Sequence, residues 1–188
     1  MTAKIIIVGT SHELQCGLVC PHSEYSEADL EKYKGLILNL CKSECINLIA
    51  EEMSIDGLLF YKVFKTVVAE LVEKELGALH HYIDISCDGR KLLNIDKESR
   101  SKYAEINFPN SLSDEDRKTQ FRNILIDPIR ELYWFGKLLR LNEWPALFIC
   151  GENHVDSMSK LIHEADKDVL AKVYRLDQYT TPKNQSVP

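Results

Sequence analysis

The sequence predicts an α/β protein: one domain with a mostly parallel central sheet, flanking helices and a ligand crevice at the carboxyl ends of the strands. Short β-branched apolar runs alternate along the chain with longer segments of helical periodicity. The length of 188 residues fits one compact domain, and 45% hydrophobic with 28% charged residues is typical of a globular protein. We therefore assign residues 1–178 to a single domain and the polar, proline-containing residues 179–188 to a flexible tail.

Strands and helices alternate in the first half of the predicted order. The predicted strands cover residues 4–8, 45–50 and 80–86, and the predicted helices cover about 26–44 and the stretch between Asp56 and Gly77. Ser26 and Asp29 have the spacing of a capping box, which starts the first helix. Asp56 caps the second helix and Gly77 stops it. This alternation favours parallel strands joined by right-handed crossovers.

The second half of the chain opens with a long polar connection over residues 87–112, which we predict to be irregular apart from a helical turn. Two consecutive helices are predicted over 114–142, with Asp127 as the N-cap of the second and Pro128 at its first helical position. The remaining predicted elements are a buried strand over 145–150, a helix over 155–165 and an edge strand over 169–176.

Composition and charge exclude several classes of partner. A net charge of −6 argues against a protein that binds the phosphate backbone of nucleic acid. The sequence has no apolar run of the ~18 residues that a transmembrane helix needs, and its first residues lack the apolar core of a signal peptide. We therefore expect a cytoplasmic protein without nucleic-acid or membrane partners.

The six cysteines are expected to be free thiols, because no export signal places them in an oxidising compartment. They stand at positions 16, 20, 41, 45, 87 and 150. Cys16, Cys20 and His22 could together hold zinc, but a loop with buried thiols is the favoured interpretation.

Three predicted strands end on polar residues that could form a site. The first ends on G-T-S-H at 9–12, the second on the pair Glu51 and Glu52, and a later one on G-E-N-H at 151–154. The carboxyl ends of parallel strands meet at one edge of the sheet, where ligands bind. His12, His154 and at least one of the two carboxylates are therefore expected to meet in one crevice.

The residue types suggest roles in that crevice. His154 should lie at the start of a helix, where the helix dipole disfavours imidazolium and leaves a neutral ring that can accept a proton or bind a metal. Glu51 and Glu52 face opposite ways if the strand continues through them, although a loop could turn both inward, and the sequence leaves this open. Arg130 lies in the first turn of its predicted helix and can grip a carboxylate or an anionic substrate.

Each of these residues also has a structural interpretation. A single histidine after a strand is more often a loop residue that binds backbone, and it is the repeated context that favours function. His80 and His81 are adjacent in a predicted strand, so they face opposite ways and are interpreted as structural. The sequence carries no nucleophile elbow and no Walker loop, which argues against covalent serine chemistry and favours activated water.

Taken together, these motifs resemble the erythromycin esterase, ChaN-like and TIKI/TraB superfamily. The resemblance spans roughly residues 4–176 and rests on two G-x-x-H motifs ending at His12 and His154, a strand-end Glu pair and an arginine motif around Arg130. It implies a hydrolase-like α/β fold with these residues gathered in one crevice. Members differ in activity and include antibiotic ester hydrolases, metal-dependent proteases and haem-related binding proteins. The short chain without membrane segments argues against the membrane-protease role.

We therefore expect a hydrolase that activates water to cut an ester, amide or related bond in a small molecule or peptide. His12, Glu51 or Glu52 would be the general base, His154 a second base, metal ligand or oxyanion partner, and Arg130 an orienting residue. A divalent metal (Mn, Co or Zn) is a candidate cofactor. The alternatives are a non-catalytic module that senses a small anion in the same crevice, and a scaffold protein that uses the helical surface over 114–142.

Overall fold

A single five-stranded sheet runs through the protein, and all of its neighbouring strands are parallel. The computed structural model describes residues 4–19, 23–99, 113–166 and 168–180. The strands are β1 (Lys4–Thr10), β2 (Leu48–Glu51), β3 (Leu79–Tyr82), β4 (Ala146–Gly151) and β5 (Leu170–Tyr174). They are ordered β3-β2-β4-β1-β5, with helices on both faces, which confirms the predicted α/β fold.

Helices connect these strands. Their bounds are α1 (His12–Gln15), α2 (Glu27–Ser43), α3 (Ile55–Tyr61), α4 (Val67–Lys74), α5 (Cys87–Leu92), α6 (Asp114–Phe121), α7 (Asp127–Leu141) and α8 (Val155–Ala165). A π turn over Arg122–Ile126 joins α6 to α7, and 3₁₀ turns cover Glu152–His154 and Leu176–Gln178. No helix in the described ranges is long and apolar enough to cross a membrane.

The three central strands are buried on both faces because the helices form a layer on each side. One apolar layer lies between the sheet and helices α2 and α4, and it includes Ile6, Val8 and Tyr33. The other lies between the sheet and helices α7 and α8, and it includes Ile5, Ile7 and Trp134. The even residues of β1 thus face one layer and the odd residues the other, as the period of two in a strand requires.

The register aligns the ends of the central strands. In β1 and β4, Gly9 pairs with Cys150 and Thr10 with Gly151, while Glu51 of β2 pairs with Ile149 of β4. The polar residues that follow these strands therefore leave the sheet side by side. The fold thus places the predicted crevice where three neighbouring carboxyl ends meet.

The predicted helix between Asp56 and Gly77 is wrong, because two shorter helices take its place. Helix α3 ends at Lys62, which adopts the left-handed conformation with φ 58°. Helix α4 starts afresh at Thr66, whose hydroxyl accepts a hydrogen bond from the Ala69 amide at 3.2 Å. The apolar periodicity of the sequence continues through the break between α3 and α4 and gives no sign of the break. The N-cap residue Thr66 is the sequence signal that marks the start of α4.

The two helices predicted over 114–142 are present, but the N-cap assigned to Asp127 is wrong. Asp127 already has helical dihedral angles, φ −64° and ψ −44°, and its carboxylate accepts a hydrogen bond from Arg122 Nε at 3.1 Å. Pro128 lies in the first turn of α7, where a missing backbone N–H is tolerated. In the preceding connection, α5 supplies the predicted helical turn, and residues 100–112 lie outside the described ranges.

Other predictions concern the chain end and the cysteines. Strand β5 pairs only with β1 in the described sheet, which confirms the predicted edge strand.

Tyr179 is buried, and its hydroxyl donates to the Gly9 carbonyl, so the packed part of the chain extends at least to this residue. The five described cysteines are free thiols, whereas Cys20 and His22 of the zinc alternative lie outside the described residues.

Candidate functional site

A cavity of about 450 Å³ opens beside the carboxyl ends of β1, β2 and β3. Three of the predicted site residues, His12, Glu52 and Arg130, line it. The other lining residues are Met53, Ser54, Asp56, Gly57, Phe60, Tyr61, Asp84, Cys87, Arg90, Arg122, Ile126 and Asp127. The cavity thus joins titratable groups to an apolar wall from α3 and the π turn.

Glu52 lies at the centre of the site, directly after β2. Its carboxylate is buried, with only 2% of the side chain exposed, and it has two partners. Oε1 accepts a hydrogen bond from Arg130 Nη2 at 2.5 Å, and Oε2 accepts one from the Gly151 amide at 2.7 Å. A Cβ atom at position 151 would lie 3.3 Å from Oε2, so a glycine lets the end of β4 approach the carboxylate this closely.

Arg130 of α7 bridges two buried carboxylates. Besides Glu52, it donates to Asp84 through Nη2 at 3.1 Å and through Nε at 3.3 Å. Its guanidinium carbon also lies 4.7 Å from the ring centre of Trp134. Burial works to lower the pKa of Arg130, but the charges of Glu52 and Asp84 outweigh it and raise that pKa. Arg130 is therefore a permanently charged, rigidly held group at the edge of the cavity.

Asp84, which follows β3, is the second anchor of this network. It accepts hydrogen bonds from Trp134 Nε1 at 3.0 Å and from Arg90. Burial acts to raise the pKa of Asp84, but the charges of Arg130 and Arg90 hold it below the usual value. The carboxylate consequently stays ionised and fixes the direction of both arginines.

His12 is the accessible histidine of the site, with 36% of its side chain exposed. It begins the one-turn helix α1, and Ser11 caps this helix by accepting a hydrogen bond from the Leu14 amide at 3.2 Å. Its Nδ1 lies 2.7 Å from Gln15 Oε1, while Nε2 lies 4.0 Å from Glu52 Oε1. The second distance is too long for a direct hydrogen bond, so Nε2 is open to the cavity.

His154 lies behind Glu52 and is 2% exposed. Its Nδ1 is 2.8 Å from Glu131 Oε1, and its Nε2 is 3.7 Å from Glu52 Oε1. Because both imidazole Nε2 atoms lie within 4.0 Å of the same oxygen, they are under about 8 Å apart. His154 is not among the described residues that line the cavity. Its imidazole is thus buried between Glu131 and Glu52.

Glu51 points to the opposite face of the sheet and is fully buried. Its Oε1 accepts from Thr66 Oγ1 at 2.5 Å and pairs with His80 Nε2 at 2.7 Å. Its Oε2 accepts from Gln15 Nε2 at 3.4 Å. The strand geometry thus continues through the Glu pair, and Glu52 is the member that faces the crevice.

The remaining predicted histidines lie away from the cavity. The contact between His80 and Glu51 places this ring inside the fold, in keeping with its structural interpretation, while His81 on the other side of β3 is exposed. Adjacent strand residues face opposite ways, as that interpretation assumed.

Sequence reasoning missed three residues that hold the site together. Asp84 lay inside the strand predicted over 80–86, and the strand-end rule selects it only because β3 ends at Tyr82. Glu131 does not follow a strand and contacts His154 from α7, so the strand-end pattern could not have indicated it. Gln15 stands three residues after His12, a spacing that brings side chains together only if the segment is helical.

The donor set of the crevice does not fit a divalent metal. No group of three His, Cys, Asp or Glu side chains within the described ranges is arranged to hold an ion. The carboxylate that the two histidines share is instead bound to a guanidinium, since Glu52 accepts from Arg130. A cation at this oxygen would have to displace Arg130.

Compared with known proteins, this chain matches no protein-family model, no curated protein and no solved structure. In that crevice, one accessible imidazole lies beside a guanidinium that is fixed between two buried carboxylates, at a cavity with an apolar wall.

Proposed function

We propose that this protein is a hydrolase that activates water with His12 to cleave an ester, amide or related bond in a small molecule or peptide. The observation that carries the proposal is the open Nε2 of His12 beside the Glu52 and Arg130 pair at one cavity. The resemblance of the two G-x-x-H motifs to the erythromycin esterase, ChaN-like and TIKI/TraB superfamily favours the same class of reaction.

His12 would act as the general base. It takes a proton from water at Nε2 while the water oxygen forms a bond to the carbonyl carbon of the substrate. The imidazolium that results lies 4.0 Å from the Glu52 carboxylate, whose negative charge stabilises it. When the bond to the leaving group breaks, the same Nε2 returns the proton to the leaving oxygen or nitrogen. Protons and electrons balance without a metal in any step.

Arg130 would stabilise the negative charge that develops on the carbonyl oxygen. Its Nη2 donates to Glu52 and Asp84 and its Nε donates to Asp84, whereas Nη1 lies 3.9 Å from Asp127 Oδ1, beyond hydrogen-bond distance. Nη1 therefore retains donor capacity toward the cavity. A preorganised donor in a partly buried site contributes more than one in water because it needs no reorientation during the reaction.

The charge balance of the lining favours an uncharged substrate over a small anion. Each arginine of the cavity is already paired with a carboxylate: Arg90 with Asp84, Arg122 with Asp127, and Arg130 with Glu52 and Asp84. Phe60, Tyr61 and Ile126 provide apolar surface next to these pairs. A neutral substrate with an apolar portion fits this lining better than an anion-sensing role does.

A turnover assay with neutral nitrophenyl esters and nitroanilides tests the proposal. We expect His12→Gln to lower kcat by about 10²–10⁴-fold, the range that a general base contributes. His163→Gln is the matched control, because this histidine is exposed on α8, away from the cavity. Equal activity of both variants would overturn the role of His12. Thermal stabilisation by inorganic phosphate without turnover of any substrate would support the sensing alternative instead.

A further inference from the structure

We propose that Gln15 is a positioning residue that fixes the tautomer of His12, with the buried carboxylate of Glu51 as its anchor. The inference deepens the proposed hydrolase and rests on it for its effect on turnover. It gives a role to Glu51, which the fold places on the face away from the cavity.

Gln15 connects His12 to Glu51 through its side-chain amide. The residue is fully buried at the end of α1. Its Oε1 lies 2.7 Å from His12 Nδ1, and its Nε2 lies 3.4 Å from Glu51 Oε2. One short side chain thus joins the accessible imidazole to a carboxylate in the interior.

The Glu51 carboxylate determines which way this amide points. An ionised carboxylate offers only acceptors, so the amide NH₂ must face Glu51 and the amide oxygen must face His12. An amide oxygen in turn requires a donor, which makes His12 Nδ1 the protonated nitrogen. In the neutral ring, Nε2 then carries the lone pair on the side that faces Glu52 and the cavity. This is the tautomer that a general base at Nε2 needs.

Glu51 is itself held in place by two other elements of the fold. Thr66 Oγ1 at the start of α4 donates to its Oε1 at 2.5 Å, and His80 Nε2 of β3 lies 2.7 Å from the same oxygen. Oε2 is therefore left to orient Gln15. A cluster with a purely structural role would satisfy these buried polar groups equally well. The tautomer of His12 is therefore the property that distinguishes a positioning role of Gln15 from a structural one.

The direct test is the ¹⁵N chemical shifts of the His12 ring, measured by long-range ¹H–¹⁵N correlation at about pH 9, where an imidazole of ordinary pKa is neutral. The spectrum of His12→Gln assigns the signal. We expect a pyrrole-type Nδ1 and a pyridine-type Nε2 in the wild type. Gln15→Met removes the acceptor at similar length and should shift the population toward the Nε2–H form.

Several results would overturn the inference. A His12 ring that is protonated mainly at Nε2 in the wild type would overturn it. This result needs no variant, so the test stays valid if Gln15→Met fails to fold. A folded Gln15→Met protein with the wild-type ring pattern would also do so.

In a turnover assay, Gln15→Met should lower kcat about tenfold with little change in KM, because tenfold is the factor that one ordinary hydrogen bond supplies. A wild type that hydrolyses nothing would overturn the proposed function, whereas the ring shifts would still decide the role of Gln15.

Discussion

Replacing Glu52 with glutamine tests whether this buried carboxylate is the anchor of the site. Its two oxygens accept from two different donors, Arg130 Nη2 at 2.5 Å and the Gly151 amide at 2.7 Å. A glutamine of the same shape has a single oxygen, so its NH₂ must face one of these donors. An unsatisfied buried donor costs about 1–3 kcal/mol, and Arg130 also loses one of its two charge partners.

The expected loss in the free energy of unfolding is about 2–4 kcal/mol. This is less than the roughly 3–5 kcal/mol for removing one partner of an isolated buried ion pair, because Asp84 still neutralises Arg130 in the variant. Urea denaturation followed by circular dichroism measures the difference. The matched control is Glu73→Gln, since Glu73 is 62% exposed and pairs with Lys65 at the surface, where we expect little change. Equal stability of the two variants would show that Glu52 is not the anchor of the site.

Two further predictions concern pH and packing. Burial acts to raise the pKa of Asp84, but the charge of Arg130 outweighs burial and holds that pKa below the ordinary value of 3.8. The stability that Asp84 contributes is therefore present above pH 3.8 and is lost as the pH falls below it. Acid titration of wild type and Asp84→Asn should accordingly show their stabilities converging below that pH, and a constant difference would contradict this. Gly9→Ala should destabilise by about 1–3 kcal/mol, because a Cβ at Gly9 would lie 2.6 Å from Val155 Cγ2. Its control, Gly136→Ala, lies in open space on α7 and should be neutral or stabilise by about 0.5–1 kcal/mol, so a Gly9→Ala protein as stable as this control would disprove the clash.

The sheet could be predicted from the sequence because its signals are local. The apolar β-branched run of β1 is buried on both faces, and a polar residue follows each central strand at the common edge. This rule alone places His12 and Glu52 together. The order of the strands is not a local property, and the register that pairs Gly9 with Cys150 appears only in the folded chain.

The contacts within the site could not be predicted in the same way. Glu51 and Glu52 are chemically identical, and only the continuation of the strand geometry turns one to Gln15 and the other to Arg130. His154 belongs to a motif of the same form as that of His12, yet a 3₁₀ turn buries it against Glu131. Side-chain direction at such positions depends on tertiary packing, which spacing along the chain does not encode.

The most direct test of the central claim is hydrolysis in ¹⁸O-labelled water, with the acid product analysed by mass spectrometry. We expect the wild type to form the acid from a neutral ester with one solvent-derived oxygen, and His12→Gln to lose this product at unchanged thermal stability. Formation of the labelled acid by His12→Gln at the wild-type rate would contradict the claim that His12 activates water in this crevice.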